Sequence, residues 1–297
     1  MSAEYLLTGY IHSIATLSEN SKYFRESYIS QFLSFSQKDP LKVDRNDLVQ
    51  YAKMKLSLEC KRSTVKLYLV YIIYFYQYLV EEKLYPEEKF ALLNNYLKKF
   101  KVPKGEKKTA LNPDQLDQLL TAVSENPTLK MATWMFLNFG LRLTELIKLT
   151  INDLDFENDE IEVLESKGLK TRRIPILKYQ KPILKQWLQL RKTFLPVDSI
   201  NRSFLILKRT EKKPSAKWLQ MCYHRLSEKF GFRIYAHRLR RTYASILFFD
   251  HNIDIWLISW LLGHARIQTT MTYLGITDLV KKSKYQAAMK NKIIIKV

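Results

Sequence analysis

Fourteen residues from Leu67 to Val80 are apolar or aromatic apart from Gln77. A bilayer-crossing helix needs about 20 such residues, so this stretch reads as a buried helix and not a membrane span. Within it and just before it, Val65, Tyr68, Ile72, Phe75 and Leu79 recur at helical intervals. The helix is apolar on nearly every side, so other helices must wrap it. Ser63 or Thr64 is the expected cap. Only 7 Gly and 9 Pro occur in 297 residues, which leaves little room for the many turns of an all-β chain. The expected fold is therefore mainly α.

Around this helix the first region reads as a bundle. Tyr23, Tyr28, Phe32 and Phe35 lie near helical spacing on one expected face. A second helix starts near Asp44 with Leu48, Val49 and Ala52, and another covers Glu87 to Phe100. Lys98 to Lys108 holds six Lys, one Glu, a Pro and a Gly and is the expected linker. The resulting division is an N-terminal helical domain over 1–101, a basic linker over 102–110 and a second domain over 111–297. Asn112 and Pro113 have the character of an N-cap and first helical residue. Helices are expected through Leu120, from about Leu129 to Leu149, and over Lys181–Arg191, Ser215–Phe230, His237–Phe249 and Asp254–Leu262. Between them the period changes. Glu160 to Glu165 alternates like a strand, Lys167-Gly168 supplies a turn, and Thr171 to Leu177 returns. Ser203 to Leu207 is a candidate third strand. The fold class is thus mainly α with a small antiparallel β-sheet.

Charge narrows the partner. The net charge is +20, of which residues 1–101 carry +4 and residues 102–297 carry +16. Such a surplus concentrates a polyanion and strengthens phosphate contacts. Lys61, Arg62, Ser63 and Thr64 open a helix with two cations, a candidate phosphate site with an ordinary cap as the alternative. Lys101 and Lys104 give the linker the character of a strap along DNA, with a solvated tether as the alternative. Two Cys, at 60 and 222, form no disulfide framework and suit a reducing cytoplasm. Together with 5 His they give no tetrahedral zinc spacing, so neither metal nor cofactor is expected. The residues Met1-Ser2-Ala3-Glu4 lack a basic run before an apolar one, so no secretory signal is expected.

The chemistry lies in three segments: Gly140-Leu141-Arg142-Leu143-Thr144-Glu145-Leu146, Ala236-His237-Arg238-Leu239-Arg240, and Leu262-Gly263-His264 followed nine residues later by Tyr273. A DNA phosphodiester is anionic and has a poor leaving group. Guanidinium groups can hold its nonbridging oxygens and offset charge in the transition state. A nucleophile must attack in line, and an acid must protonate the departing 5′ oxygen. Tyr is one of 18 in the chain, so Tyr273 stands out only through the ordered set around it.

That ordered set resembles the tyrosine recombinases, the phage-integrase family that includes the Xer resolvases, and the similarity extends along the chain from its helical N-terminal region to Tyr273. The resemblance implies a two-domain clamp on duplex DNA, with a core-binding domain and a catalytic domain. It implies a site-specific recombinase that is independent of metal and ATP and forms 3′-phosphotyrosyl intermediates, with four protomers on two specific sites. In that frame Arg142 and Arg240 clamp the scissile phosphate, Glu145 buttresses the site, and His237 bonds a nonbridging oxygen or assists proton transfer. His264 supplies hydrogen bonding and packing, and Tyr273 is the nucleophile. Lys167 matches the family's hairpin lysine, the general acid. Ser166 stands where the family commonly has Gly, so Lys170 is a rival. Arg238 and Arg241 are expected at the DNA backbone or in solvent. The tail containing Leu279, Val280 and Tyr285 is expected to dock on a neighbouring protomer, with packing in cis as the alternative. Two other readings are a type IB topoisomerase-like nicking-closing enzyme and a non-catalytic DNA-binding or bridging protein. The short chain leans toward a simple Xer-like architecture.

Overall fold

Helix α1 (Ala3–Ser13) opens a bundle completed by α2 (Glu19–Ser36), α3 (Arg45–Ser57), α4 (Arg62–Glu81) and α5 (Glu87–Lys99). These come from a computed structural model that describes residues 2–103, 109–164, 171–194, 203–208 and 214–276. The apolar helix is central, as its sequence requires. Val65, Leu69, Ile72, Phe75, Tyr76 and Leu79 on α4 are fully buried. Burial of Tyr76 and Tyr85 is tolerated because their hydroxyls donate to the carbonyls of Pro40 and Val43. Asp44 caps α3 through the amides of Asn46 and Asp47, and Asp47 returns the bond to the Asp44 amide.

Two local expectations change. Helix α4 begins at Arg62 with Lys61 as its N-cap, and no side chain bonds the cap. Ser63 and Thr64 therefore lie inside the first turn. On α2 the buried face is Ile29, Phe32 and Leu33, whereas Tyr23 and Phe35 are exposed.

The chain divides into two compact units, Met1–Glu106 and Lys107–Val297. In the second, α6 (Pro113–Val123) is capped by Asn112, with Pro113 as its first residue. Helix α7 (Pro127–Phe139) forms the centre of this unit, burying Met131, Ala132, Met135, Phe136 and Phe139. The long helix expected over Leu129–Leu149 is broken. Gly140 adopts the left-handed conformation at φ 57°, which ends α7, and the short helix α8 (Leu143–Lys148) follows.

Strands β1 (Leu154–Asp155), β2 (Glu160–Leu164) and β3 (Thr171–Pro175) form an antiparallel sheet in the order β1-β2-β3. Register places Leu164 opposite Thr171 and Ile161 opposite Ile174. The candidate third strand at Ser203–Leu207 makes only an isolated bridge from Phe204 to Thr150. Leu205, Ile206 and Leu207 are all buried, so the run fills the core and does not alternate. Helices α9 (Gln180–Lys192), α10 (Ala216–Phe230), α11 (Ala236–Ser245), α12 (Ile255–Leu262) and α13 (Ile267–Leu274) complete the described chain. A π-helical turn over Ile246–Asp250 replaces the last part of the helix expected to reach Phe249. Among the described residues no helix is long and apolar enough to cross a membrane. The observed class is mainly α with a small antiparallel sheet.

Candidate active site

The site forms where α8, β3, α11 and the α12–α13 connection meet. Arg142 is the N-cap of α8, and its amide donates to Glu145 Oε2 at 2.7 Å. Its guanidinium reaches Glu145 Oε1 at 2.6 Å and the carbonyl of Gly263 at 2.7 Å. Glu145 and the Gly263 carbonyl thus fix the Arg142 guanidinium between α8 and the end of α12, and the side chain retains 27% exposure.

Glu145 is the hub. Its carboxylate is buried, and Arg172 grips both oxygens, with Nη1 2.9 Å from Oε1 and Nη2 2.8 Å from Oε2. Arg240 Nη1 stands 3.7 Å from Oε2. Burial alone would raise the Glu145 carboxyl. The bonds and charge of Arg172, with those of Arg142, overcome this and hold it at about 2.

Arg240 projects from α11 and is 1% exposed. Its Nη1 donates to Gly140 at 2.6 Å and its Nη2 to the carbonyl of Leu262. Burial, reinforced by neighbouring Arg142, lowers it to about 10, so it remains charged at neutral pH. The left-handed turn at Gly140 is tied directly to this anchor. A Cβ there would stand 2.5 Å from Tyr243 and 2.9 Å from Leu262.

Three consecutive carbonyls at the end of α12 each accept from a different arginine. Leu261 accepts from Arg172 Nε at 3.1 Å, Leu262 from Arg240, and Gly263 from Arg142. A helix C-terminus presents unpaired carbonyls and partial negative charge, which guanidinium groups satisfy. Gly263 ends the helix in the left-handed conformation, and the chain turns to place His264. The Nδ1 of His264 bonds Thr270 Oγ1 at 2.8 Å, and Thr270 is fully buried. Burial, then the charges of Arg240, Arg142 and Arg172, depress the His264 imidazole to about 3, so it is neutral at physiological pH.

Tyr273 on α13 lies edge-on to His264, with ring centroids 5.5 Å apart. Its hydroxyl donates to the carbonyl of His237 at 2.8 Å, and the Arg241 guanidinium sits 4.5 Å from its ring centroid. Burial raises its pKa, while Arg240 and Arg241 pull it back. His237 itself is exposed at the start of α11.

The remaining expected residues fall elsewhere. Arg238 spends its guanidinium on protein acceptors: the carbonyls of Thr109, Ala110 and Arg233, and Gln115 Oε1. In the first unit Arg62 donates to the Lys101 carbonyl at 3.2 Å and covers the Phe100 ring. Lys61, Ser63 and Lys101 are exposed and Thr64 is half-buried. Lys167, Lys170, Lys104 and the tail with Leu279, Val280 and Tyr285 lie outside the described residues. Among the described residues, no group of three or more His, Cys, Asp or Glu side chains is placed to hold a metal ion. Arg172 and Thr270 were not foreseen as parts of the site. Arg172 had a readable signal, because a strand that turns Ile174 inward also turns Arg172 inward.

Residues 109–279 match the model of the phage integrase family. The chain is 31% identical over 204 residues to the tyrosine recombinase XerA of Pyrococcus horikoshii, a match covering 66% of this chain and 69% of that protein. A tyrosine recombinase of Thermosipho africanus is 26% identical, with 96% of this chain and 98% of the relative covered. Among solved structures, the Tn1549 transposon integrase in complex with transposon right end DNA matches with a TM-score of 0.79 at 19% identity. That match covers 97% of this chain and 99% of the other. A lambda integrase dimer bound to a COC′ core site matches with a TM-score of 0.73 at 15% identity, covering 92% of this chain and 95% of that one. At these identities the structural matches speak for the fold. The sequence relatives and the family model speak for descent: the chain belongs to the phage integrase family, the tyrosine recombinases, and is a site-specific recombinase that cleaves and rejoins DNA.

Proposed function

We propose that Tyr273 is the nucleophile and that Arg142 and Arg240 hold the scissile phosphate. The observation that carries this reading is that Arg142 and Arg240 both bond the carbonyl end of α12, which leads into His264, the ring against which Tyr273 packs. The Tyr273 oxygen attacks phosphorus, the bond to the 5′ oxygen breaks, and a 3′-phosphotyrosyl ester conserves its energy for rejoining. The phenolic proton passes to His237 or to solvent as the ester forms, and the departing 5′ oxygen gains one, for which Lys167 is the proposed donor. His237 bonds a nonbridging oxygen or assists proton transfer. Guanidinium charge offsets the extra negative charge of the transition state.

Arg142 is partly open to an incoming phosphate, whereas Arg240 is sealed. Engagement of Arg240 therefore requires a local opening, in which phosphate oxygens replace backbone carbonyls as its acceptors. The partner is duplex DNA carrying a specific recombination site. The unit at 1–101 binds one part of that site, through the Lys61–Thr64 helix start, and the basic strap at Lys98–Lys108 follows the backbone through Lys101 and Lys104. The lambda integrase dimer on its core site supports assembly of protomers on DNA, and strand exchange between two sites calls for four. The site of action is the cytoplasm, where element or chromosomal DNA is available.

The test is a suicide substrate nicked so that the released fragment diffuses away. Wild-type protein should become covalently trapped, and proteolysis with mass spectrometry should place the phosphodeoxynucleotide on Tyr273. An adduct on another residue overturns the assignment. Relaxation of supercoiled DNA lacking any specific site would instead favour the nicking-closing reading.

A further inference from the structure

Three arginines meet Glu145, but their surroundings differ. Arg142 and Arg240 are the proposed phosphate clamps. Arg172 rises from β3, one residue into the strand, and is 7% exposed. Its two terminal nitrogens match the two oxygens of Glu145, and its Nε takes the carbonyl of Leu261. This is the paired fork geometry that guanidinium makes and ammonium does not.

We propose that Arg172 is a positioning residue for DNA cleavage, aiming Arg142 through Glu145 and holding the end of α12 while the phosphate draws Arg142 and Arg240 away from it. The proposal rests on the clamp role assigned above to those two arginines. In the arrangement seen here the carbonyls of Leu262 and Gly263 occupy them. A bound phosphate takes over those donors, and the corresponding carbonyls give them up. Arg172 keeps its bond to Leu261, so the segment leading to His264 retains one fixed point. Arg172 also occupies both Glu145 oxygens. Without it, the buried carboxylate would draw on Arg142 and Arg240 and would compete with the phosphate for them. The expected loss is therefore in the cleavage step more than in DNA affinity, which draws on many other contacts.

The experiment compares wild type, Arg172→Lys, Arg172→Gln, Glu145→Gln and the double variant Arg172→Gln/Glu145→Gln. Affinity for a specific duplex and the single-turnover rate of covalent trapping at saturating DNA are measured separately, with thermal melting as a check on folding. Both Arg172 variants should bind DNA nearly as well as wild type yet be trapped on the order of ten- to a hundredfold more slowly, and the double variant should be little slower than the slower single one. Retained charge without the fork should not rescue Arg172→Lys. Wild-type trapping by Arg172→Lys, or single losses that multiply in the double variant, overturns the proposal. If Arg172→Gln does not fold, Arg172→Lys decides alone: slow trapping with normal affinity supports the role, and a normal rate refutes it. Failure of wild type to form any Tyr273 adduct would instead sink the underlying clamp reading, so the two failures are distinguishable.

Discussion

The hydroxyl of Tyr273 donates to the backbone carbonyl of His237 at 2.8 Å, across 36 residues of chain. This bond joins α13 to the first turn of α11, which carries Arg240. The proposed nucleophile is therefore held by a protein acceptor that it must give up before its oxygen can attack. Tyr273→Phe removes this bond together with the hydroxyl's interaction with Arg240, and keeps the ring against His264 and Arg241. The expected cost is about 1 kcal/mol, a fall in Tm of roughly 2–4 °C for a unit of this size. Specific DNA binding should persist while covalent trapping disappears. Undiminished trapping by this variant would remove Tyr273 from the chemistry.

His264 predicts a pH signature. Its folded-state pKa lies near 3, below the ordinary value of 6.5, so the native state takes up the proton less readily than the unfolded chain. Its contribution to stability is complete above pH 6.5 and is lost progressively as pH falls from there toward 3. Partial exposure of the ring reduces the size of the effect. Glu145, held near 2, adds its own loss only below about 4.5. Melting curves between pH 7.5 and 5 should thus show Tm falling in wild type and falling less in His264→Asn. Parallel profiles for the two proteins would show that His264 is not the titrating group.

Gly140 predicts a steric failure. Its φ of 57° disfavours a side chain, and an added Cβ would meet the Tyr243 ring at 2.5 Å. The left-handed conformation alone costs an L-residue about 1–2 kcal/mol, and the rigid ring adds to that. Because the Gly140 carbonyl also accepts from Arg240, a shifted backbone disturbs the proposed clamp. Gly140→Ala should lower Tm by several degrees and slow trapping beyond what the lost stability explains. An unchanged Tm would mean that Tyr243 moves aside freely.

Much of this arrangement was legible, and what was missed has identifiable causes. Arg142, His237, Arg240, His264 and Tyr273 stand in ordered motifs, and the structure brings their segments together. The alternation from Glu160 and the return at Thr171 correctly located the paired strands. The failures lie where local pattern is ambiguous. Phe204 to Leu207 is a short continuous apolar run, which periodicity cannot distinguish from a strand. Gly140 interrupts a helical pattern that otherwise runs on both sides; its left-handed cap ends α7 locally, but the apolar spacing that resumes beyond it masks the stop. On α2, Tyr23 and Phe35 share helical spacing with Phe32, but the neighbouring helices bury Ile29 and Leu33 instead. Arg172 is placed on the inward face by the strand alternation, yet its partner Glu145 lies 27 residues away and only the folded chain joins them.

Arg238 and the DNA backbone can be separated experimentally. Its guanidinium serves the carbonyls of Thr109 and Ala110 and the side chain of Gln115, pinning the start of the second unit to α11. Removing a side chain that neutralises one phosphate should reduce the slope of log affinity against log salt by about 0.9. Arg238→Ala should lower Tm while leaving that slope unchanged. A slope reduced by that amount, with Tm intact, would return Arg238 to the DNA backbone.

Two lysines compete for the role of proton donor. Lys167 and Lys170 both fall in 165–170, which connects Leu164 on β2 to Thr171 on β3 and lies outside the described residues. The motif around Lys167 resembles the family's hairpin lysine, but Ser166 in place of Gly leaves the register open to Lys170. A general acid contributes by protonating the 5′ oxygen as it departs, so its removal should slow cleavage while leaving DNA affinity nearly intact. A typical contribution is on the order of a hundred- to ten-thousandfold in rate. Sulfur in place of the bridging 5′ oxygen makes a leaving group that needs no proton. If Lys167 is the donor, Lys167→Ala should be severely slowed on ordinary DNA and restored on the 5′-bridging sulfur substrate, whereas Lys170→Ala should behave alike on both. The reverse pattern would move the role three residues along the chain. Failure of the sulfur substrate to restore either variant would show that neither lysine acts as the acid, and that the segment contributes charge to the phosphate and not a proton to the leaving group.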